Sequence, residues 1–219
     1  MLRFAEEILL LALDDATGRL HPLPPKALEL ALAGALLFEL SFQERVDTDL
    51  SSLRVMNWSA TGDTLLDRAL GALRADRGLL SLQQSLARVA LIAPDLIEPL
   101  LQGLETKGIL TRREKRILWK VREVTHPEKD AREEAAVRER IRRVVLEDQV
   151  PEPRDVVIIA LVEACQLQRM VFSPAELEKA RARLQEIAKM ESLGAALLTA
   201  ARKMENLSLR EAAEGKEKS

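Results

Sequence analysis

The chain of 219 residues contains few aromatic side chains, no tyrosine and a single cysteine. Aromatic residues make up only 3% of the sequence. Proteins that bind single-stranded nucleic acid stack the bases on aromatic side chains, so this composition argues against a surface of that kind. Cys165 has no second cysteine with which to form an internal disulfide bond, which fits a reducing compartment and predicts a cytoplasmic location.

Catalytic and metal-binding motifs are also missing from the sequence. It contains no G-x-S-x-G, C-x-x-C, H-E-x-x-H or Rossmann glycine pattern. Neither histidine lies at metal-ligand spacing from a second ligand, and Cys165 has no companion for zinc. Asp14-Asp15 lacks the Asp-x-Asp spacing of a phosphoryl-transfer site, so a turn that ends at Gly18 is the favoured interpretation. We therefore expect a protein that is not an enzyme and uses no cofactor or metal.

The overall charge gives no signal of an anionic partner, since the formal net charge is −2. Any such partner must then be met by a local basic patch. Apolar residues make up 47% and charged residues 31%, the profile of a soluble, helix-rich protein. Its paired carboxylates lie on predicted helix faces, where a solvated surface is the ordinary explanation. Glu6 and Glu7 near the start, without a small-residue cleavage site, predict that there is no signal peptide.

The stretch Ala27–Leu40, ALELALAGALLFEL, is the most apolar part of the chain, with Glu29 and Glu39 as its only charges. A helix that is apolar on nearly all sides is either a membrane span or the buried centre of a helical protein. A helix of this length rises about 21 Å, which is short of the roughly 30 Å hydrocarbon core of a bilayer. We therefore predict a mainly α, single globular domain around this central helix, with short β-hairpins.

Apolar periodicity and capping residues predict further helices on both sides of the central one. Thr64 with Asp67 has the spacing of a capping box, and Ser173-Pro174-Ala175-Glu176 is the clearest helix start in the chain. Val156–Leu167 has the composition of a strand, but its length favours a buried helix. The remaining predicted helices are Glu6–Leu13, the segment after Thr64, Leu79–Ala93, Leu96–Leu104, Glu128–Leu146, a helix from Ser173 to Met190, and Leu193–Met204.

Two pairs of short strands are predicted as well. Phe42–Asp47 and Leu53–Met56 flank a polar turn. After a helix that ends at Lys107-Gly108, the apolar runs Ile109-Leu110 and Ile117–Trp119 flank the polar stretch Thr111–Arg116. Two apolar runs around a polar centre predict a second hairpin, and a continuous helix is the alternative.

This second hairpin is the candidate functional surface because it combines bases with large apolar side chains. Bases are attracted to anionic lipid headgroups, while apolar side chains enter the membrane interface. An ordinary hairpin that packs its apolar side on its own domain is the alternative. The candidate lipid- and membrane-contact residues are Arg112, Arg113, Lys115, Arg116, Ile117, Leu118 and Trp119.

Six stretches, taken in order along the chain, form a pattern of their own. They are EEILLLALDDATGRL (Glu6–Leu20), ALAGALLFEL (Ala31–Leu40), TGDTLLDRAL (Thr61–Leu70), LETKGIL (Leu104–Leu110), THPEKD (Thr125–Asp130) and IIALVEAC (Ile158–Cys165). Together they resemble the Golgi phosphoprotein 3 family, whose eukaryotic members bind phosphatidylinositol 4-phosphate at Golgi membranes. The resemblance covers about Leu2 to Met204. It implies a mainly helical domain around a central apolar helix, with a β-hairpin used in self-association and membrane contact.

The sequence departs from the eukaryotic members at the positions that bind the lipid headgroup. Those members carry a tryptophan in the loop before the central helix, where this chain has Leu23-Pro24. They carry an arginine just before the glycine of that helix, where this chain has Ala33. Two further arginines of the family fall near Pro94 and Ile97. None of the four is retained, so none is carried over. The short loops and the composition resemble a bacterial member.

The favoured functional hypothesis is a non-enzymatic peripheral membrane or adaptor protein that binds anionic, phosphoinositide-like headgroups and forms homo-oligomers through the hairpin. A winged-helix-like nucleic-acid-binding protein is the alternative, because a helix followed by a basic hairpin also fits a helix and its wing. A purely structural or oligomerisation module is the third possibility. We expect one domain over residues 1–205 and a polar tail over residues 206–219.

Overall fold

A computed structural model of the protein describes residues 2–49, 51–74, 80–117, 120–190 and 193–201, and the side chains of residues 115–123 lie outside this description. The polar tail predicted from residue 206 onward also lies outside the described residues. Within the described ranges, no helix is both long and apolar enough to cross a membrane.

Helices dominate the described chain, which confirms the predicted mainly α domain. In chain order, the helices are α1 (Phe4–Ala12), α2 (Ala27–Phe42), α3 (Thr64–Leu73), α4 (Leu82–Ile92), α5 (Pro94–Thr106), α6 (Arg132–Leu146), α7 (Pro153–Ala164), α8 (Gln168–Val171) and α9 (Pro174–Ile187). Residues 193–201 are helical as well. The strands are β1 (Val46–Thr48), β2 (Ser52–Val55), β3 (Leu80–Ser81), β4 (Arg113–Ile117) and β5 (Lys120–Thr125).

Helix α2 lies at the centre of the domain, as its composition predicts. All its side chains from residue 27 to residue 40 are buried except those of Glu29 and Glu39. Helices α1, α3, α4 and α7 pack around it. At Gly34 the neighbours come so close that an added Cβ would lie 3.0 Å from Leu161 Cδ2 and 3.1 Å from Leu197 Cδ1. The small residues of α2 therefore let α7 and the helical stretch at 193–201 approach its backbone.

Strands β1, β2 and β3 form a small antiparallel sheet beside the helices. The predicted first strand starts too early, because Phe42 belongs to the last turn of α2, where it packs edge-on against Phe4 with ring centroids 5.4 Å apart. Strand β3 was not predicted. Its Ser81 pairs with Ser52 and also caps α4, where Gln84 N donates to Ser81 Oγ at 3.1 Å. Ser81 both ends β3 and caps α4, and the sequence around it carries only the signal of the helix start. The strand was missed for this reason.

Several predicted helix boundaries move when the capping contacts are seen. The cap of α3 is Asp63, whose Oδ1 accepts from Leu65 N at 2.8 Å, and Asp67 binds Thr61 instead of Thr64. Helix α6 begins at Arg132, four residues after the predicted start at Glu128, because the preceding residues pair with other segments. The capping box at Ser173 and the helical interpretation of the Val156 segment are confirmed.

The acidic side chains of α1 are buried, which corrects the expectation that paired carboxylates lie on solvated faces. Glu7 is 2% exposed, and its carboxylate lies 3.1 Å from Arg140 Nη2 and 3.0 Å from Arg154 Nη2. Arg140 also pairs with Asp155 at 2.9 Å, and the Arg154 guanidinium lies 4.2 Å from the centre of the Phe4 ring. These contacts join α1 to α6 and α7 through charges that are far apart in the sequence.

The close packing at Gly34 generates a stability prediction. Gly34→Leu should lower the free energy of unfolding by about 1–3 kcal/mol, because the new side chain has to displace Leu161 and Leu197. Gly71→Ala is the matched control, since Gly71 lies inside α3 with open space around its Cα. That change should raise stability by about 0.5–1 kcal/mol through helix propensity. Urea unfolding followed by circular dichroism measures both, and an unchanged midpoint for Gly34→Leu would contradict this packing.

Candidate functional site at the β4–β5 hairpin

The second predicted hairpin is present, but its turn lies elsewhere than the sequence suggested. Arg113 pairs with Thr125 and Ile117 pairs with Lys120, with a register shift between Lys115 and Arg116. The polar stretch that was predicted as the turn therefore forms most of β4, and the chain reverses after Ile117. The turn was predicted at the wrong place because polar residues are typical of turns. An exposed two-stranded ribbon needs no apolar face, so polar residues are also tolerated along its strands.

The hairpin extends from the helical body instead of packing into it. Strands β4 and β5 pack against each other, and neither packs extensively against any helix in the described part of the chain. Arg113 and Glu114 are exposed, and Val124 is 37% exposed although it is apolar.

The predicted contact residues are distributed unevenly over what the structure describes. Arg112 is held at the foot of the hairpin, with its guanidinium 3.0 Å from Glu98 of α5 and 3.3 Å from Glu114. Arg113 is exposed at the start of β4. Lys115, Arg116 and Ile117 follow it in β4, but their side chains lie outside the description, and Leu118 and Trp119 lie outside the described residues altogether.

A set of backbone hydrogen bonds fixes the lower end of the hairpin, residues 126–128, which we call the hairpin base. Thr111 N donates to Pro127 O at 3.0 Å, which closes the ribbon below β4. His126 N donates to Gly18 O at 3.1 Å, and Glu128 N donates to Asp15 O at 3.2 Å. The His126 ring is buried, and its Nδ1 lies 2.8 Å from Glu105 Oε1 of α5. The hairpin base is therefore docked on the turn that follows α1.

Gly18 makes this docking possible. Its φ of +66° lies in the left-handed region that favours glycine, and a Cβ added to it would lie 2.1 Å from Pro127 N. The atoms that it would meet belong to the backbone, so no side-chain rotation relieves the clash. The sequence showed Gly18 as a turn residue, but its close approach to the hairpin base had no local signal.

Three acidic side chains converge beside the hairpin base. Carboxylate oxygens of Asp15, Glu128 and Glu134 lie within 4.8 Å of one another, the one such group of three in the described part of the chain. The cation beside them is the guanidinium of Arg138, whose Nη2 lies 3.5 Å from Asp15 Oδ1 and also contacts Glu134. The sequence analysis missed this cluster, for which the only local signal was the helical spacing of Glu134 and Arg138.

Burial sets the protonation of this cluster. It raises the pKa of Glu134 to about 8, and the neighbouring Asp15 and Glu128 act in the same direction against the opposing effect of Arg138. Burial, followed by the negative charge of Asp15, also raises the pKa of Glu128. A buried carboxyl next to like charges favours its neutral form, so burial and the neighbouring carboxylates favour the protonated form of Glu134.

The positions that correspond to the family's headgroup residues form no basic site here. Ala33 is fully buried in α2, where its side chain meets no solvent. Leu23 and Ile97 are partly buried against the core, and Pro94 is the first residue of α5. These four places supply no cation for a phosphorylated headgroup.

Comparison with known proteins gives a family assignment for nearly the whole chain. A family model described as Golgi phosphoprotein 3 matches residues 4–205. A search of curated proteins finds no match to the chain. The family match includes the central helix, the hairpin and the turn on which the hairpin base is docked.

The docking of the hairpin base generates a prediction about Gly18. Gly18→Ala should combine left-handed backbone strain of roughly 1–2 kcal/mol with an overpacking cost of about 1–3 kcal/mol against the His126-Pro127 backbone. Gly62→Ala is the matched control, because Gly62 has a φ of +84° with no atom near an added Cβ. Urea unfolding of both variants should show the larger loss for Gly18→Ala, and equal losses would contradict the close approach.

Proposed function

The chain belongs to the Golgi phosphoprotein 3 family, and on that premise we propose that it is a non-enzymatic peripheral membrane or adaptor protein. In this proposal the β4–β5 hairpin contacts anionic lipid surfaces and also joins copies of the chain. The helical domain serves as the scaffold that carries the hairpin. The observation that carries the proposal is the projection of a basic hairpin from this scaffold.

The charge of the hairpin supports contact with an anionic surface. The segment from Arg112 to Thr125 contains six lysine and arginine residues and two glutamates, in a chain whose formal net charge is −2. Each base near a charged bilayer surface contributes about 1 kcal/mol to binding. Because the hairpin stands clear of the helices, its bases can approach a surface without bringing the acidic remainder of the chain into contact.

The apolar residues at the end of the hairpin support the same surface. Ile117 ends β4, and Leu118 and Trp119 follow it in the sequence. Large apolar and aromatic residues next to bases are typical of segments that enter the headgroup region of a membrane. We propose that these residues enter the interface while the bases contact the headgroups.

The two-stranded sheet also supports self-association. Within the described part of the chain, strands β4 and β5 pair only with each other, so each has an outer edge of backbone donors and acceptors. Such edges are templates for pairing with another chain. We propose that homo-oligomers form through this hairpin, as the resemblance to the family implies.

The winged-helix alternative is not favoured by the helix that precedes the hairpin. A recognition helix approaches DNA phosphates and needs basic residues. Helix α5 contains Asp95, Glu98 and Glu105 and has no lysine or arginine between Pro94 and Thr106. A negatively charged helix in that position would oppose binding to nucleic acid, whatever the charge of the hairpin.

Charge reversal in the hairpin tests the membrane contact. The triple variant Arg113→Glu, Lys115→Glu, Arg116→Glu should bind phosphatidylserine vesicles at least about a hundredfold more weakly, since each base contributes about 1 kcal/mol. The matched control reverses Lys179, Arg181 and Lys189, three exposed bases at α9 and its end. Vesicle flotation at low and physiological salt measures both. Equal losses in the two triple variants would show that the contact does not depend on the hairpin.

Lipid selectivity is a separate prediction, based on the replaced headgroup positions. We expect weak binding that follows surface charge and weakens with salt, without strong preference for phosphatidylinositol 4-phosphate. Vesicles of phosphatidylserine and of phosphatidylinositol 4-phosphate should be matched in surface charge, and the protein should bind both equally well. Tight, salt-insensitive binding to the phosphoinositide alone would contradict this prediction.

A shortened hairpin tests self-association. Because Arg113 and Thr125 face each other in the ribbon, residues 114–124 can be replaced by Asn-Gly, the preferred two-residue turn. The shortened protein should keep its helix content by circular dichroism, become monomeric by light scattering and no longer float with anionic vesicles. A shortened protein that stays oligomeric would place self-association on another surface, and one that unfolds would show that the hairpin is part of the core.

A further inference from the structure

The acidic cluster beside the hairpin base joins three separate segments of the fold. Asp15 lies in the turn after α1, Glu128 follows β5, and Glu134 lies in the first turn of α6. Glu134 is 3% exposed, and its carboxyl oxygen lies within 4.8 Å of a carboxylate oxygen of Asp15. Glu128 Oε1 is buried and has no hydrogen-bond partner. The cluster is therefore a contact between the hairpin base and the helical body.

The charges in the cluster do not balance when all three carboxyl groups are ionised. Arg138 supplies one positive charge through contacts with Asp15 and Glu134, and its Nε is buried without a hydrogen-bond partner. Carboxyl groups that lie this close together, one of them buried, favour a state in which one keeps its proton. A proton on Glu134 removes one negative charge from the cluster.

Several other charged groups on and around α6 pair with one another instead of with the cluster. From α1 and α7, Glu7 and Asp155 pair with Arg140. Arg142 pairs with Glu176 of α9 and donates to the Val171 carbonyl of α8. Asp130, which precedes α6, pairs with Arg132. In the same turn as Asp15, Asp14 accepts from Thr17 N at 2.7 Å.

We propose that the Asp15–Glu128–Glu134 cluster is a proton-controlled latch that holds the hairpin base on the turn after α1. With the proton in place, the carboxyl pair reinforces the backbone bonds from His126 to Gly18 and from Glu128 to Asp15. Loss of the proton leaves adjacent buried carboxylates that repel one another, and the hairpin base loosens. Opening of the latch would change how the hairpin contacts a membrane, and this role rests on the function proposed above.

The direction of the pH dependence follows from the burial of Glu134. Burial raises the pKa of Glu134 to about 8, above the value of the same group once the latch is open and solvated. Stabilisation by the proton is therefore complete below the solvated pKa and is lost as the pH rises through about 8. The latch is closed in mildly acidic solution and opens in mildly alkaline solution.

Hydrogen exchange of the full-length protein without lipid tests the latch directly. The amides of His126 and Glu128 should lose protection about tenfold or more between about pH 6 and pH 9, after correction for the intrinsic exchange rate. In Glu134→Gln, which keeps a donor for Asp15 but has no titrating proton, protection of these amides should be nearly independent of pH. Protection in the unaltered protein that does not change with pH would overturn the proposal.

Two further variants separate the latch from general effects of charge. Glu133→Gln removes one charge at the exposed neighbouring position of the same helix turn and should behave like the unaltered protein. Asp15→Asn removes the negative charge that favours the Glu134 proton, so the loss of protection should move to lower pH. The proposal would be overturned if amide protection became independent of pH in Glu133→Gln. It would also be overturned if the pH at which protection is lost stayed the same in Asp15→Asn. Should Glu134→Gln not fold, Asp15→Asn carries the test.

The exchange measurement also distinguishes this proposal from the membrane function. The exchange measurement contains no lipid, so its outcome does not depend on whether the hairpin binds vesicles. Flotation of the unaltered protein and of Glu134→Gln at both pH values then shows whether the loosened base changes vesicle binding. If amide protection depends on pH but flotation does not, the latch is supported and its use at membranes is overturned.

Discussion

A helix without a solvent-facing side has to be covered around its whole circumference, and this requirement governs the architecture of the domain. Helix α2 is covered by α1, α3, α4 and α7, and burial of its apolar surface is the main force that holds these helices together. At Gly34, Leu161 and Leu197 pack directly against the backbone of α2, so the neighbouring helices need complementary shapes as well as apolar surfaces.

Covering α2 places charged groups inside the domain, because α1 is itself buried on all sides. Glu6 is fully buried and accepts hydrogen bonds from Lys107 Nζ at 2.6 and 2.7 Å. Burial alone would raise the pKa of Glu6, but the bonds from Lys107 and Arg3 outweigh it and lower the pKa. Glu7 is paired with two arginines in the same way. A buried carboxylate without its partners is strongly destabilising, so these pairs favour one arrangement of α1 against α5, α6 and α7.

The turn that follows α1 is one of the places where the projecting hairpin meets the buried core, together with the contacts from Arg112 and His126 to α5. Residues 14–18 follow α1 and include Asp15 and Gly18, whose carbonyl groups accept the backbone hydrogen bonds of the hairpin base. The remainder of the hairpin makes few demands on the core, so its charge can differ without affecting the packing of α2. The proposed function therefore depends on a surface that the fold carries and not on the packing of its core.

Much of the fold was predictable because its signals are local. The apolar composition of α2, the capping box at Ser173 and the helix end at Gly108 each depend on residues within a few positions of one another. The hairpin was predictable as a motif, but its turn was not. The polar residues of β4 resemble a turn in composition, and only their pairing with β5 determines that they form a strand.

Tertiary structure alone decided which polar groups are buried and what they meet. Glu6 and Lys107 are hydrogen-bonded across 101 residues of sequence, and Glu7 and Arg140 across 133. No periodicity in the sequence distinguishes such glutamates from solvated ones, because their partners are chosen by helix packing. The same holds for the proton of Glu134, whose pKa depends on Asp15 and Glu128 from two other segments. The sequence by itself determined an apolar helix that must be buried, whereas packing determined which charges are buried with it.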